Sequence, residues 1–393
     1  MKGTLSKCAI ALIPLLIGYI AGGTASVAAQ ETVKVGMPVP LSGPGASIGQ
    51  RFQKAGEMAI EDLNKLAAGK MKFEAFVVDS KCTPDGAQTA AKKLILEDNV
   101  NVMVGELCSD ATLAIKDLAG QNKVPLVVPD SSAINITEKG NPYTFRIIPN
   151  EIQQHIALAR VAVNYFKQKS FVVVYEQTSS GIGAGKAFIA EAKKLGATIL
   201  DEIPLDRNSA DFSAVVTHIK ALKPEAISLT MLLDPSVRFV KTLYEQGVRL
   251  PLYDSIWWAY PLFEKLTGPA SEHTVRELFY INTATEPVAA AFTKRFEAKY
   301  PGETPDFNHA QFYAAVRLAG EVAIKNGASR EAISKGLAAV KDYKSAIGPI
   351  SFDAKGQSVM TVDNIMFIQT GKNGEIRLLD TVPDFNKKII LGF

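Results

Sequence analysis

Apolar and polar positions along this chain switch repeatedly between two periods. Short unbroken apolar runs, Val33 to Val39, Phe73 to Val78, Val100 to Val104 and Pro125 to Val128, predict buried strands. Between them lie segments of helical period. Arg51 to Leu63 carries Ala55, Met58, Ala59 and Leu63 on one face, and Gln88 to Leu96 and Ala111 to Leu118 follow the same rule. A second series begins after Pro149. It runs helix (Ile152 to Phe166), strand (Phe171 to Tyr175), a helix after Gly185, strand (Thr198 to Ile203) and helix (Phe212 to Leu222). Strand Ala226 to Thr230 and a helix from Val237 to Gln246 complete it. Two such series predict an α/β fold of two doubly wound, parallel-sheet lobes with right-handed crossovers. The chain then turns helical from Pro287 to Leu337, with extended segments around Ile350 to Phe352, Ile365 to Gln369 and Ile376 to Leu379. That order predicts a return to lobe one and a last crossing to lobe two. Crossings at Ile148 to Asn150, Ile281 to Thr285 and Ala346 to Gly348 divide the chain into 31–149 with 282–346, and 150–281 with 347–393. Three crossings make a hinge.

The amino terminus has a different character. Lys2 and Lys7 precede an uncharged run from Cys8 to Ile20, and small residues end at Val27-Ala28-Ala29-Gln30. This is the pattern of a secretory signal over residues 1–30, cleaved near residues 28–30. The run is short for a spanning helix and contains Pro14 and Gly18, so an exported, soluble, periplasmic protein is expected. Of the 393 residues about 360 would remain, enough for two domains. The formal charge of +3 falls close to neutral without the two signal lysines, which argues against nucleic acid as a partner. Cys82 and Cys108 are then the only cysteines. An isolated pair in an oxidising compartment suggests a disulfide, worth roughly 3–4 kcal/mol in the chain-entropy picture. Two cysteines and four scattered histidines lack zinc spacing, so no metal is expected. No cofactor is expected either.

Candidate chemistry concentrates at Gly105-Glu106-Leu107-Cys108-Ser109-Asp110-Ala111-Thr112. A strand feeding a glycine turn and then a serine at a helix start builds an anion site, because first-turn N–H groups are unpaired and the helix dipole is positive there. Ser109 as a plain N-cap is the alternative. Two other motifs weigh less. Gly45-Ala46-Ser47-Ile48-Gly49 fits the G-x-S-x-G pattern of a secreted serine hydrolase using Ser47, but Leu41 to Pro44 intervene where the elbow needs a direct strand–turn–helix corner. His155, His218, His273 and His309 lie outside the strand-end loops. Gly181 to Lys186 imitates a phosphate loop without its first glycine, where Ser180 stands, or its final Ser/Thr, where Ala187 stands. It reads as a tight strand-to-helix turn lining the cleft. No catalytic residue is assigned.

With these motifs in order, the mature chain resembles the solute-binding proteins of ABC importers in the branched-chain amino-acid-binding family, type I periplasmic binding proteins. The resemblance rests on Pro40 to Pro44 with Ala55 to Asn64, on Cys82 with Leu107-Cys108-Ser109, on Pro129 to Gly140, and on Gly348 to Gly356. It implies a disulfide between Cys82 and Cys108, and a ligand carboxylate held by Ser109, Ser132 and backbone groups near Ser131. It also implies delivery to permease subunits by a monomer, with a sensory receptor as the other recipient. The family's acid for the ligand's α-ammonium falls at Ile256, and its aromatic lining falls at Ile48, Ile182 and Leu233. Asn308 aligns near a further contact. An ammonium buried without an acid costs several kcal/mol, so these departures favour a carboxylate with an apolar or aromatic body and no amine. Trp257, with Trp258 and Tyr260, would supply ring contacts, and Tyr175 would bond a ring substituent. An ordinary branched-chain amino acid, with Asp254 replacing the acid, is the competing ligand.

Overall fold

The computed structural model describes residues 1, 3–4, 30–254, 258, 260–360 and 365–392, so nearly all of the expected leader lies outside it. Lobe one begins with β1 (Glu31–Val39), α1 (Ala46–Ala67), β2 (Met71–Asp79), α2 (Pro84–Lys92), β3 (Val102–Val104), α3 (Ser109–Gln121), β4 (Leu126–Val128) and β5 (Thr144–Arg146). Its five strands are parallel, in the order β2-β1-β3-β4-β5. The chain crosses into α4 (Glu151–Arg160), β6 (Ser170–Glu176), α5 (Ser179–Lys194), β7 (Thr198–Leu205), α6 (Ser213–Leu222), β8 (Ala226–Thr230), α7 (Leu233–Glu245), β9 (Leu252–Asp254), α8 (Leu262–Thr267) and β10 (Thr274–Leu278). It returns through α9 (Pro287–Lys299), α10 (Phe307–Asn326), α11 (Arg330–Ala338), β11 (Tyr343–Ser345) and β12 (Gly348–Ile350). Lobe two is completed by β13 (Met366–Thr370), β14 (Ile376–Leu378) and α12 (Lys387–Leu391). The second sheet runs β14-β13-β10-β9-β8-β6-β7, with β13 and β14 antiparallel at one edge of an otherwise parallel sheet.

The helical period of α1 buries Ile48, Phe52, Ala55, Met58, Ala59 and Leu63, at roughly 1.5–3 kcal/mol for each large side chain. Phe52 stacks on Phe312 of α10 with ring centroids 4.7 Å apart, which fastens the returning segment to lobe one. At the first crossing, Asn150 caps α4 in a reciprocal capping box with Gln153.

The third crossing differs from the expectation at Ala346 to Gly348. Those residues form a hairpin, with Ser345 paired to Gly348 and Gly348 at φ +95°; the Gly-Pro signal marks a turn within lobe one. Gln357 then pairs with Arg146 in parallel, so the chain stays against β5 until at least Ser358.

Gly181 to Lys186 is a second correction. The three glycines lie inside α5, which Thr178 caps through Gly181 N–H. They allow close packing: a Cβ at Gly183 would stand 2.4 Å from the Glu151 carboxylate, and one at Gly185 2.3 Å from the Tyr175 ring.

Candidate functional site

Loops at the carboxyl ends of both sheets face one another, where an open α/β sheet places its ligands. On lobe one, Cys82 and Cys108 form a disulfide with Cα atoms 5.3 Å apart. It fixes the loop that leads into α3. Inside that loop the buried carboxyl of Glu106 accepts from Ser80 Oγ and from Cys108 N–H (2.8 Å). Burial pushes Glu106 up to about 7.

Ser109 opens α3 and is 4 % exposed. Its Oγ accepts from Ala133 N–H at 3.1 Å, which leaves its own proton free to donate. Ser132 Oγ is buried and has no hydrogen-bond partner among the described residues. Ser131 is used differently: its hydroxyl donates to Glu106 O (3.0 Å) and meets Thr112 Oγ1 (2.6 Å). It shapes the loop and leaves only its backbone for a ligand.

Arg146 positions this cradle. Fully buried, it donates to the carbonyls of Ser132 (2.7 Å) and Ala133 (2.6 Å) and to Gln357 Oε1. Glu151, first residue of α4, accepts from Ile134 N–H at 3.1 Å. Neither residue was among the sequence candidates. The only signal was an arginine inside the apolar run Phe145 to Ile148.

The lobes meet across the cleft. Ser47 Oγ donates to Asp234 Oδ1 at 3.0 Å, bringing Ile48 (2 % exposed) close to buried Leu233 at the start of α7. Ser179 N–H (3.2 Å) and Oγ both donate to Asp110 Oδ1. The Arg207 guanidinium pairs with buried Glu176 at 2.6 Å and lies 3.2 Å from Cys82 Sγ. Burial raises Glu176 above its ordinary value, and Arg207 opposes that rise. Ile182, on the first turns of α5, is 38 % exposed.

Asn308 sits at the start of α10, buried, with Nδ2 unpartnered among the described residues. Its neighbour Gln311 donates to Asp130, which burial pushes up to about 7. Asp254 ends β9 fully buried, in register with Arg276, and it is engaged within the protein. Ile256 and Trp257 lie outside the described residues.

Three expectations give way to packing. Trp258 stacks on Phe263 at 4.5 Å and donates to Ser236 Oγ at 2.7 Å, so it belongs to the lobe-two core. Tyr260 packs half-buried against that core. Tyr175 donates to Glu202 with its ring over Gly185 and does not wait for a ligand. Nor does the arrangement support Ser47 as a nucleophile. Its hydroxyl serves Asp234, while the four imidazoles contact Thr230, Asp201, Glu272 and Asp306.

Comparison with known proteins gives a consistent result. The family described as periplasmic binding protein matches residues 32–375. An amino acid binding protein of Pseudomonas aeruginosa is 26 % identical over 84 % of this chain and 88 % of its own. A branched-chain amino acid transporter substrate-binding protein from Streptococcus pneumoniae, solved with isoleucine, superposes with a TM-score of 0.81 at 23 % identity, covering 88 % of this chain and 98 % of that one. A solute-binding protein of an ABC transporter from Rhodopseudomonas palustris, solved with 3,4-dihydroxybenzoic acid, gives 0.76 at 25 % identity, covering 88 % and 95 %.

Proposed function

We propose, from the premise that this chain belongs to the periplasmic binding protein family, that it is an extracytoplasmic solute-binding protein. It holds a small carboxylate between its lobes and, as a monomer, passes it to the permease of an ABC importer. The observation that carries the carboxylate is the pair of serines on lobe one. Ser109 has a proton to give at a helix start, and Ser132 Oγ is buried without a partner. A carboxylate there receives charge-assisted hydrogen bonds and the favourable end of the helix dipole.

The ligand's body meets Ile48 from lobe one, and Leu233 and Ile182 from lobe two. With Ile256 where the family carries an acid, the ligand is an aromatic acid without an α-amine. The dihydroxybenzoic acid in the R. palustris relative fits this class. Asp254 favours a second reading, a branched-chain amino acid, because it supplies a buried carboxyl at a strand end near Ile256. Its place on β9 beside Arg276 speaks for a structural role.

A thermal-shift panel of aromatic acids, fatty acids and amino acids on the mature protein tests the proposal. A ligand at 100 times its Kd stabilises by about 2.7 kcal/mol. Shifts with aromatic acids alone are expected; shifts with leucine or valine alone would establish the second reading.

A further inference from the structure

The serine cradle lies among carboxyls. Glu106 precedes Ser109 in the loop that enters α3, and Asp130 precedes Ser132 in the loop that leaves β4. Both are buried. Glu106 has neutral partners: Ser80 Oγ and the N–H groups of Leu107 and Cys108. Asp130 has the side-chain amide of Gln311 on α10. Among the described residues neither carboxyl pairs with a lysine, arginine or histidine, and the Asp130 charge adds to the cost of ionising Glu106.

The other charges around the loops are taken up elsewhere. The Arg146 charge acts on Glu151 and Asp353. Arg207 pairs with Glu176, and Arg51 with Asp306, which also meets His309. Asp110, on the first turn of α3, accepts from Ser179 of lobe two and brings one more negative group. A carboxylate ligand thus enters a region with two uncompensated buried acids. Like charges repel far more strongly there than in water, so the anion is held best when an acid beside it is neutral. Burial pushes both acids up to about 7, which makes the neutral form available near neutral pH.

We propose that binding of a carboxylate in the cleft is coupled to uptake of a proton from solvent by Glu106 or Asp130. The proposal rests on the carboxylate reading above and adds a pH dependence to it. A bound anion raises the carboxyl's value further, so affinity is greatest at low pH and is lost as pH rises. The expected loss is roughly tenfold between pH 6.5 and pH 8.5, with about half a proton taken up per ligand at pH 7.

Calorimetric titration of mature protein with 3-phenylpropanoate, and in parallel with benzoate, tests this in phosphate and in Tris at pH 7, and again at pH 6.5 and 8.5. Both probes stay ionised throughout, so a dependence of the heat on buffer counts protons taken up by the protein. Glu106→Gln and Asp130→Asn place a neutral isostere where the protonated acid would be. At least one of them should reduce the uptake, flatten the pH profile and bind severalfold more tightly than wild type at pH 8.5, a gain that damage to the loop would not produce. Binding with no proton uptake overturns the proposal and leaves the carboxylate reading standing, and uptake unchanged in both variants overturns the assignment to these acids. Binding of neither probe, nor of any acid in the thermal-shift panel, overturns the carboxylate reading and the proposal with it. Should one variant fail to fold, the other and the wild-type proton count decide.

Discussion

At the scale of single residues, the cradle separates side chains that wait for a ligand from those that build the loop. Ser132 Oγ has nothing to lose in the ligand-free protein, whereas Ser109 Oγ holds Ala133 N–H. Ser132→Ala should therefore leave the thermal midpoint unchanged and weaken binding of a carboxylate ligand by roughly 10- to 100-fold, the worth of a hydrogen bond to a charged group. Calorimetry with thermal unfolding checks both halves. Buried acids give a second expectation. Burial pushes Glu106, Asp130 and Glu151 up to about 7 and Glu277 up to about 8. A carboxyl that keeps its proton longer when folded stabilises fully below its unfolded value, and this is lost as pH rises through the folded value. His155, pushed down to about 4 by burial, acts oppositely, but its contribution is complete above 6.5. Between about pH 6.5 and pH 8.5 the ligand-free protein should thus lose thermal stability. Glu277, whose carboxylate oxygens are both buried and unpartnered among the described residues, should account for much of the loss. Glu277→Gln should flatten the profile; a wild-type midpoint that holds or rises over this range would contradict the argument.

At the scale of elements, strands and helices with one strong period were legible, and those interrupted by charge were not. The apolar runs of β1, β6 and β8 and the striped α1 and α7 follow directly from the pattern. β10 escaped because Thr274-Val275-Arg276-Glu277-Leu278 reads as polar, although all five residues are buried. The Arg276 guanidinium donates through its two terminal nitrogens to Glu264, Thr370 and Trp258 O, partners that no local window contains. The cradle was half-legible for the same reason. Ser109 and Ser132 stand at readable strand ends, but Arg146 and Glu106 act through backbone carbonyls and amides that only the folded loop brings to them. The α5 glycines were misread as a turn because their cause is a neighbouring strand and helix. Gly185→Ala would drive a methyl into Tyr175, and it should lower stability by about 1–3 kcal/mol in denaturant unfolding, the usual range for overpacking. A neutral result would mean that β6 and α5 part easily.

At the scale of the whole molecule, closure is written in contacts that join the lobes: Ser47 with Asp234, Asp110 with Ser179, and Arg207 against the disulfide. Periplasmic binding proteins close about a hinge around their ligands, and bonds of this kind add to whatever a ligand supplies. Ser179→Ala removes one of the two donors to Asp110. It should weaken ligand binding about tenfold through faster release. Small-angle scattering should show a more open ligand-free form; unchanged affinity and shape would mean that the bond does not govern closure. The central claim is that the cleft accepts a carboxylate and has no place for an α-amine. The most direct measurement is calorimetric titration with 3-phenylpropanoate and L-phenylalanine, which differ only in that amine. The deaminated acid should bind at least tenfold more tightly. Tighter binding of the amino acid would show that an acid, Asp254 first among them, serves the ammonium after all.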